Sequence, residues 1–327
     1  MKQRRLGTTG LYVSHLALGT MSWGHDTDED DASNQLTAFV EAGGNLVDTA
    51  DVYINGESER VLGHLLAGVV KRDDVIIATK AVSVRGGDRD RDASRRHILA
   101  ALDASLQRLG TDHVDLWQMH AWDPRTPLEE TLGALDVAVS SGRTRYVGIS
   151  NYTGWQTAKA AAWQRAWPGR APIVATQVEY SLLQRGIERE VVPAALNLGI
   201  GILPWSPLGR GVLTGKYQTG TPADSRGANA DYSRFISAYL DERASRIVGA
   251  VMTAADGLGV SPLAIALAWV RDRPGVVAPI VGARTAGQLK GSLEADTTVL
   301  PDEIRRALDD VSTPDMGYPE APPLLGS

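Results

Sequence analysis

Short apolar runs rich in β-branched residues recur along the chain, separated by longer amphipathic stretches. Eight such runs follow the N-terminal segment: His15–Gly19, Asn45–Thr49, Asp74–Thr79, Val114–His120, Arg145–Ser150, Pro172–Val178, Gly199–Pro204 and Val276–Val281. Their near-continuous apolar character suits parallel strands covered on both faces. The intervening stretches carry helical spacing. Leu128, Leu132, Leu135 and Val139 lie on one face of a helix. Thr126 is placed to cap that helix, with Pro127 at its first position, Glu129 completing a capping box and Gly142 ending it. Ile98, Leu102, Leu106 and Leu109 mark a second helix, and Ser261-Pro262 starts a third.

Eight strand–helix alternations predict an α/β fold, a (β/α)8 TIM barrel, as one domain over residues 1–327. Arg4–Thr9 and Leu11–Ser14 flank Gly10 and predict an N-terminal hairpin closing the barrel bottom. A long loop of about seventy residues follows strand seven, far beyond an ordinary βα connection. It holds a Gly-rich loop, Gly209 to Gly220, a polar stretch near Thr221–Ser233, and two expected helices. Long loops at this end of a barrel cover ligands. The Arg85–Asp92 run reads as a solvated loop, and the Pro-rich tail from Pro314 as surface chain.

Composition narrows the function. The chain has 327 residues, 43% of them hydrophobic, enough for a sizeable core. The net charge of -6, with no basic block interleaved with aromatics, argues against a nucleic-acid partner. There is no cysteine, so disulfides, thiolate metal sites and cysteine nucleophiles are excluded. The six histidines, at positions 15, 25, 64, 97, 113 and 120, show no ligand spacing, and no metal is expected. The basic Met1–Arg5 start has no apolar region behind it, and no apolar run is long enough to span a membrane. The expectation is a cytoplasmic enzyme acting on a small molecule, with no membrane partner. The oligomeric state is not readable at this level.

Four polar residues fall at or just past strand C-termini: Asp48, Tyr53, Lys80 and His120. Each alone has an ordinary explanation, such as a turn cap, packing, a solvated strand end or a satisfied core histidine. Together they converge, because the strand ends of a barrel share one pocket. Their types suit carbonyl reduction, which needs a hydride from a cofactor and a proton for the developing alkoxide. Tyr53 would be the acid. Lys80 would stabilise its phenolate and lower its pKa, with Asp48 holding Lys80 charged and oriented. His120 would hydrogen-bond the substrate carbonyl and set its face.

Asn45-Leu46-Val47-Asp48-Thr49-Ala50-Asp51-Val52-Tyr53, followed by Gly56-Glu57-Ser58-Glu59, resembles the signature of the aldo-keto reductase superfamily. Leu18-Gly19-Thr20-Met21, Gly148-Ile149-Ser150-Asn151-Tyr152, Gln177-Val178-Glu179-Tyr180 and Trp205-Ser206-Pro207-Leu208-Gly209-Arg210-Gly211 fit it in order. The likeness runs from Leu6-Gly7 to about Leu293. It is nearest the branch with bacterial general-stress reductases and potassium-channel β subunits. The resemblance implies a barrel binding NADP(H) in extended form across its mouth, near Gly19, Thr20, Met21 and Asp48. It implies that Ser150, Asn151 and Gln177 hold the nicotinamide carboxamide and that Trp205 stacks on the ring, where many relatives use Tyr. Ser206, Pro207, Leu208, Gly209, Arg210 and Gly211, with Lys216, would wrap the pyrophosphate. Gly282, Arg284 and Gln288 would hold the adenosine phosphate end. Gly291 and Ser292 stand where relatives carry Glu and Asn, which bears on adenine contacts and on NADP versus NAD preference.

Trp23 and Trp122 follow the first and fourth strands, and pocket walls and plain packing are equal readings of both. As walls they would bind substrate with Tyr53 and His120. Three alternatives compete. Gly209 to Gly215 is a near match to a dinucleotide-binding glycine motif, but it comes at the seventh strand, inside a poor βαβ unit. A cofactor-binding, redox-sensing regulatory subunit with little turnover is the reading from another class. A binding module without a cofactor is the third. The loop between Tyr217 and Phe235 is expected to set substrate choice.

Overall fold

A computed structural model describes residues 1–84, 90–217, 236–237 and 239–317. The expected Thr221–Ser233 stretch, most of the Arg85–Asp92 run and the specificity loop up to Phe235 therefore lie outside the described residues. Strands β1 (Gln3–Arg5) and β2 (Tyr12–Ser14) pair antiparallel, Arg4 opposite Val13, as the predicted N-terminal hairpin. Eight strands then form one parallel sheet: β3 (Ala17–Gly19), β4 (Leu46–Asp48), β5 (Ile76–Ala81), β6 (Val114–Met119), β7 (Thr144–Ser150), β8 (Ile173–Glu179), β9 (Gly201–Trp205) and β10 (Ile280–Gly282). Their spatial order is β10-β3-β4-β5-β6-β7-β8-β9. The circle closes where Val277 N donates to Ile202 O at 2.9 Å, and Ile202 N to Gly275 O at 2.9 Å. This is the predicted (β/α)8 barrel, with its last strand starting later than the apolar run suggested.

Helices α1 (Glu29–Glu41), α2 (Glu57–Gly68), α3 (Arg95–Leu109), α4 (Leu128–Ser140), α5 (Gly154–Arg165) and α6 (Val191–Leu198) alternate with the strands. The insertion after β9 contributes α7 (Glu242–Leu258) and α8 (Pro262–Arg271). Helices α9 (Ala286–Glu294) and α10 (Asp302–Ser312) complete the ring. The periodicity on α3 is realised: Ile98, Leu102 and Leu109 are buried, and Gly110 ends the helix at φ 63°. Ser261 caps α8 by accepting from Ala264 N. The expected cap of α4 is not formed. Thr126 Oγ1 donates instead to Asp123 Oδ2 at 2.7 Å, and α4 begins after Pro127 with no side-chain cap. The Thr126 hydroxyl gives its one hydrogen to that carboxylate, a charge-assisted bond stronger than a neutral one. Among the described residues, no single helix is long and apolar enough to cross a membrane.

The core has two layers. One lies between strands and helices. The other fills the barrel interior with Ala17, Leu46, Ala78, Leu116, Ala175, Leu203 and Ile280, plugged from below by Leu6 and Val13 of the hairpin. Side chains along a strand return to the same face every second residue. The residues two steps on are Gly19, Asp48, Lys80, Gln118, Gln177, Trp205 and Gly282. An apolar interior layer thus hands over to a mostly polar one at the C-terminal mouth.

Helix α2 carries the chain away from this mouth and packs on α3 through Gly63. A Cβ on Gly63 would lie 2.5 Å from Arg108 O and 3.1 Å from Leu109 Cα. Gly63→Ala should therefore destabilise the fold by about 1–3 kcal/mol through overpacking, against the ~1 kcal/mol that alanine gains in a helix interior. Urea unfolding of the two proteins checks this; a more stable alanine variant would mean that the helices separate at no cost.

Candidate active site

The polar layer surrounds a cleft of about 550 Å³, within the range of small-molecule and cofactor sites. Lys80 is its anchor, with no solvent exposure. Its Nζ donates to Asp48 Oδ2 at 2.6 Å, to Thr49 O at 2.8 Å and to the Tyr53 hydroxyl at 3.2 Å. All three ammonium hydrogens are thereby used. The other Asp48 oxygen accepts from Gln177 Nε2 at 2.8 Å and, more weakly, from Gln118 Nε2 at 3.4 Å. The Tyr53 and His120 rings meet edge to face, 6.0 Å between centroids. His120 follows β6 directly, its N–H bonded to Ala81 O at 2.8 Å. Tyr53 has no strand to place it. It opens a tight turn in which Ile54 and Asn55 take φ of 47° and 56°. A β-branched residue rarely adopts that conformation.

This strain is concentrated. Among the described residues, the non-glycine positions with positive φ are Ile54, Asn55, Val82, Asn151, Ser206 and Arg210. All follow strand C-termini at one end of the barrel. Backbone strain collects at functional sites, where surrounding structure holds it.

The electrostatics differ from the expectation at one point. Burial opposes the Lys80 charge, yet Asp48 and Tyr53 outweigh it and raise its pKa. Burial also raises the Tyr53 hydroxyl, and Lys80 pulls it back only in part, so the net direction is up rather than down. Desolvation of a whole ring and hydroxyl exceeds one ammonium contact that is shared with Asp48. Burial, followed by repulsion from Lys80, pushes His120 down to about 3, so its imidazole is neutral across the physiological range. Asp51, on the turn, is pushed up to about 7 by burial and by Glu59, with Arg108 opposing. Glu59 is itself buried, accepting from Arg108 Nε at 2.7 Å and Thr79 Oγ1 at 2.6 Å.

A family model described as the aldo/keto reductase family matches residues 15–313. An uncharacterized oxidoreductase of Bacillus subtilis, YrpG, is 38% identical over 95% of this chain and 96% of its own. A probable voltage-gated potassium channel subunit beta of Oryza sativa subsp. japonica is 36% identical over 90% of this chain and 91% of its own. A norsolorinic acid reductase of Aspergillus flavus is 31% identical over 95% of this chain and 81% of its own. The chain belongs to the aldo/keto reductase family.

Most residues named from the sequence line the cleft of this aldo/keto reductase: Gly19, Met21, Asp48, Tyr53, His120, Ser150, Asn151, Gln177, Trp205, Ser206, Pro207, Leu208, Gly211, Lys216, Gly282, Arg284 and Gln288. Lys80 lies beneath it. Four others do not line it. Trp23 is wholly buried, its Nε1 donating to Gln35 Oε1 at 3.2 Å on α1, so of its two readings packing holds. Thr20 is buried against Ser58 Oγ at 2.7 Å. Gly209 is buried against Leu183, where a Cβ would meet Cδ1 at 2.6 Å. Trp122 leans edge-on to Tyr152 at 5.2 Å and Trp155 at 5.4 Å. For the three side chains a neighbouring helix or loop, invisible from local spacing, makes the contact; at Gly209 it is the backbone that Leu183 covers.

The structure adds residues that spacing passed over. Gln118 sits two steps above Leu116 and reaches Asp48; the strand period could have revealed it. Ser292, noted only as a departure, lines the cleft, and Arg210, read only as part of the phosphate loop, joins a cluster beside it. Arg210 Nη2 donates to Glu179 Oε2 at 3.0 Å, and Tyr239 Oη to Glu179 Oε1 at 2.8 Å. The Arg210 guanidinium lies 5.0 Å from the Tyr239 ring and 5.9 Å from that of Trp205. No local signal joins these positions.

The depressed His120 pKa makes a signed prediction. A histidine that resists protonation when folded adds stability above its unfolded pKa of about 6.5, lost as pH falls toward 3. His120→Gln should remove that part. Its unfolding free energy should fall less than that of the parent between pH 6.5 and 4 in parallel urea titrations; equal slopes would show that His120 protonates freely.

Proposed function

We propose that this chain reduces an aldehyde or ketone to an alcohol with hydride from NADPH, using Tyr53 as proton donor. The observation that carries the reading is the contact of Lys80 Nζ with both Asp48 and the Tyr53 hydroxyl, beside His120, at the base of one cleft.

The cleft fits the cofactor. Ser150 Oγ is buried there with no hydrogen-bond partner among the described residues, a hydroxyl ready for a carboxamide. A Cβ on Gly282 would find nothing nearer than 3.9 Å, so backbone is open to a ligand there. Lys216 and Arg284 add positive charge along the same cleft, suited to phosphates. Ser150, Asn151 and Gln177 would hold the carboxamide, Trp205 would face the ring, and Lys216 and Arg284 would hold phosphates. When bound, the nicotinamide supplies a hydride to the carbonyl carbon.

The residues of the chain do the rest. His120, neutral at working pH, can donate a hydrogen bond to the carbonyl oxygen without competing as an acid. Charge then develops on that oxygen. An alkoxide is a far stronger base than a phenolate, so it takes the Tyr53 proton although burial raises that pKa. Lys80 stabilises the resulting tyrosinate, and Asp48 keeps Lys80 positioned. The relatives named as channel subunits keep open a second reading, a redox-sensing subunit with little turnover. Steady-state turnover separates the two.

Tyr53→Phe should lower kcat for a test aldehyde about a hundred- to ten-thousandfold, with NADPH affinity retained, followed by NADPH absorbance and by calorimetric titration. Unchanged turnover would remove Tyr53 from the mechanism. Arg284→Ala should raise the KM for NADPH roughly tenfold and leave that for NADH nearly unchanged, since only the former carries the extra phosphate that a guanidinium grips. Equal effects on both cofactors would place Arg284 elsewhere.

A further inference from the structure

Asn151, expected to hold the carboxamide, also makes one bond within the protein at each end of its amide, which leaves one hydrogen and one lone pair of the amide over. Nδ2 donates to His120 O at 2.9 Å, and Oδ1 accepts from Trp205 Nε1 at 3.0 Å. Only one orientation of the amide satisfies a carbonyl on one side and an indole N–H on the other. Its backbone N–H bonds Gln177 O at 2.9 Å. The residue takes φ 58°, a conformation in which asparagine is among the few tolerated side chains. One side chain therefore ties the ends of β6, β7 and β9 together across the barrel mouth.

We propose that Asn151 is a positioning residue that sets the Trp205 ring and the His120 segment relative to each other. The inference rests on the reading that Trp205 faces the nicotinamide and His120 the carbonyl. Hydride transfer depends on the separation and angle between donor and acceptor faces, and small misplacements are costly. Trp205 supplies an N–H that a tyrosine or phenylalanine ring edge lacks. The bracket is thus a property of the Asn151–Trp205 pair, not of Asn151 alone.

The test is a double-mutant cycle with Asn151→Gly and Trp205→Phe. Glycine keeps the left-handed backbone and removes the amide; phenylalanine keeps an aromatic face and removes the N–H. If the pair acts as a bracket, each single change lowers kcat/KM for the carbonyl about tenfold, and the double variant falls near either single. Multiplied losses, about a hundredfold in the double variant, would make Asn151 and Trp205 independent ligands and overturn the proposal. A second readout needs no turnover. The chain has eight tryptophans, and Trp205→Phe identifies the Trp205 indole N–H in proton–nitrogen correlation NMR. That resonance should shift upfield and lose exchange protection in Asn151→Gly. An unmoved, protected resonance overturns the bracket whether or not NADPH binds. Failure of NADPH to bind the unaltered protein would instead sink the cofactor reading and leave the bracket to be decided by the indole signal.

Discussion

A lysine ammonium with no solvent exposure is held at the centre of the barrel mouth. Burial of a lone charge costs several kcal/mol even after relaxation. Lys80 escapes that cost because three oxygens meet its three hydrogens, one of them a carboxylate at 2.6 Å. Asp48 in turn is held by Gln177 and Gln118. The arrangement leaves Lys80 neither free to reach solvent nor able to lose its proton easily. The remaining contact is the Tyr53 hydroxyl, and the site's chemistry begins there.

The pair also explains the strain around it. Strand geometry alone places Asp48 and Lys80, because both lie two residues beyond apolar interior positions. Tyr53 must be brought to them by a turn, and that turn bends through left-handed conformations at Ile54 and Asn55. The same holds at Asn151, Ser206 and Arg210, each just past a strand end. Eight parallel strands below provide the rigidity that holds these conformations. Helix packing behind the turn, close enough at Gly63 to exclude a methyl group, adds to it.

The Tyr53 pKa shows why partner lists alone mislead. A neighbouring cation lowers the pKa of an acid, and Lys80 does pull in that direction. Burial acts on the same hydroxyl and is larger. A proton that stays on Tyr53 until a stronger base forms beside it suits a donor. His120 follows the same rule with the opposite sign: burial and Lys80 together keep it neutral.

Much of this was written locally along the chain. The apolar runs and helical faces specified a (β/α)8 barrel because strand and helix periods depend only on near neighbours in sequence. Asp48, Lys80 and His120 were legible because a strand's C-terminal end in such a barrel opens on one pocket. Tertiary structure decided what depends on residues far apart in sequence. Trp23 turned inward to Gln35, and Thr20 to Ser58. Thr126 was taken from its helix by Asp123. Glu179, Arg210 and Tyr239 met only after the chain closed. Burial is a property of the folded whole, so the direction of the Tyr53 pKa was fixed there too. So was the joining of His120, Asn151 and Trp205 by one amide, since it reaches from the end of β7 to β6 on one side and past β8 to β9 on the other.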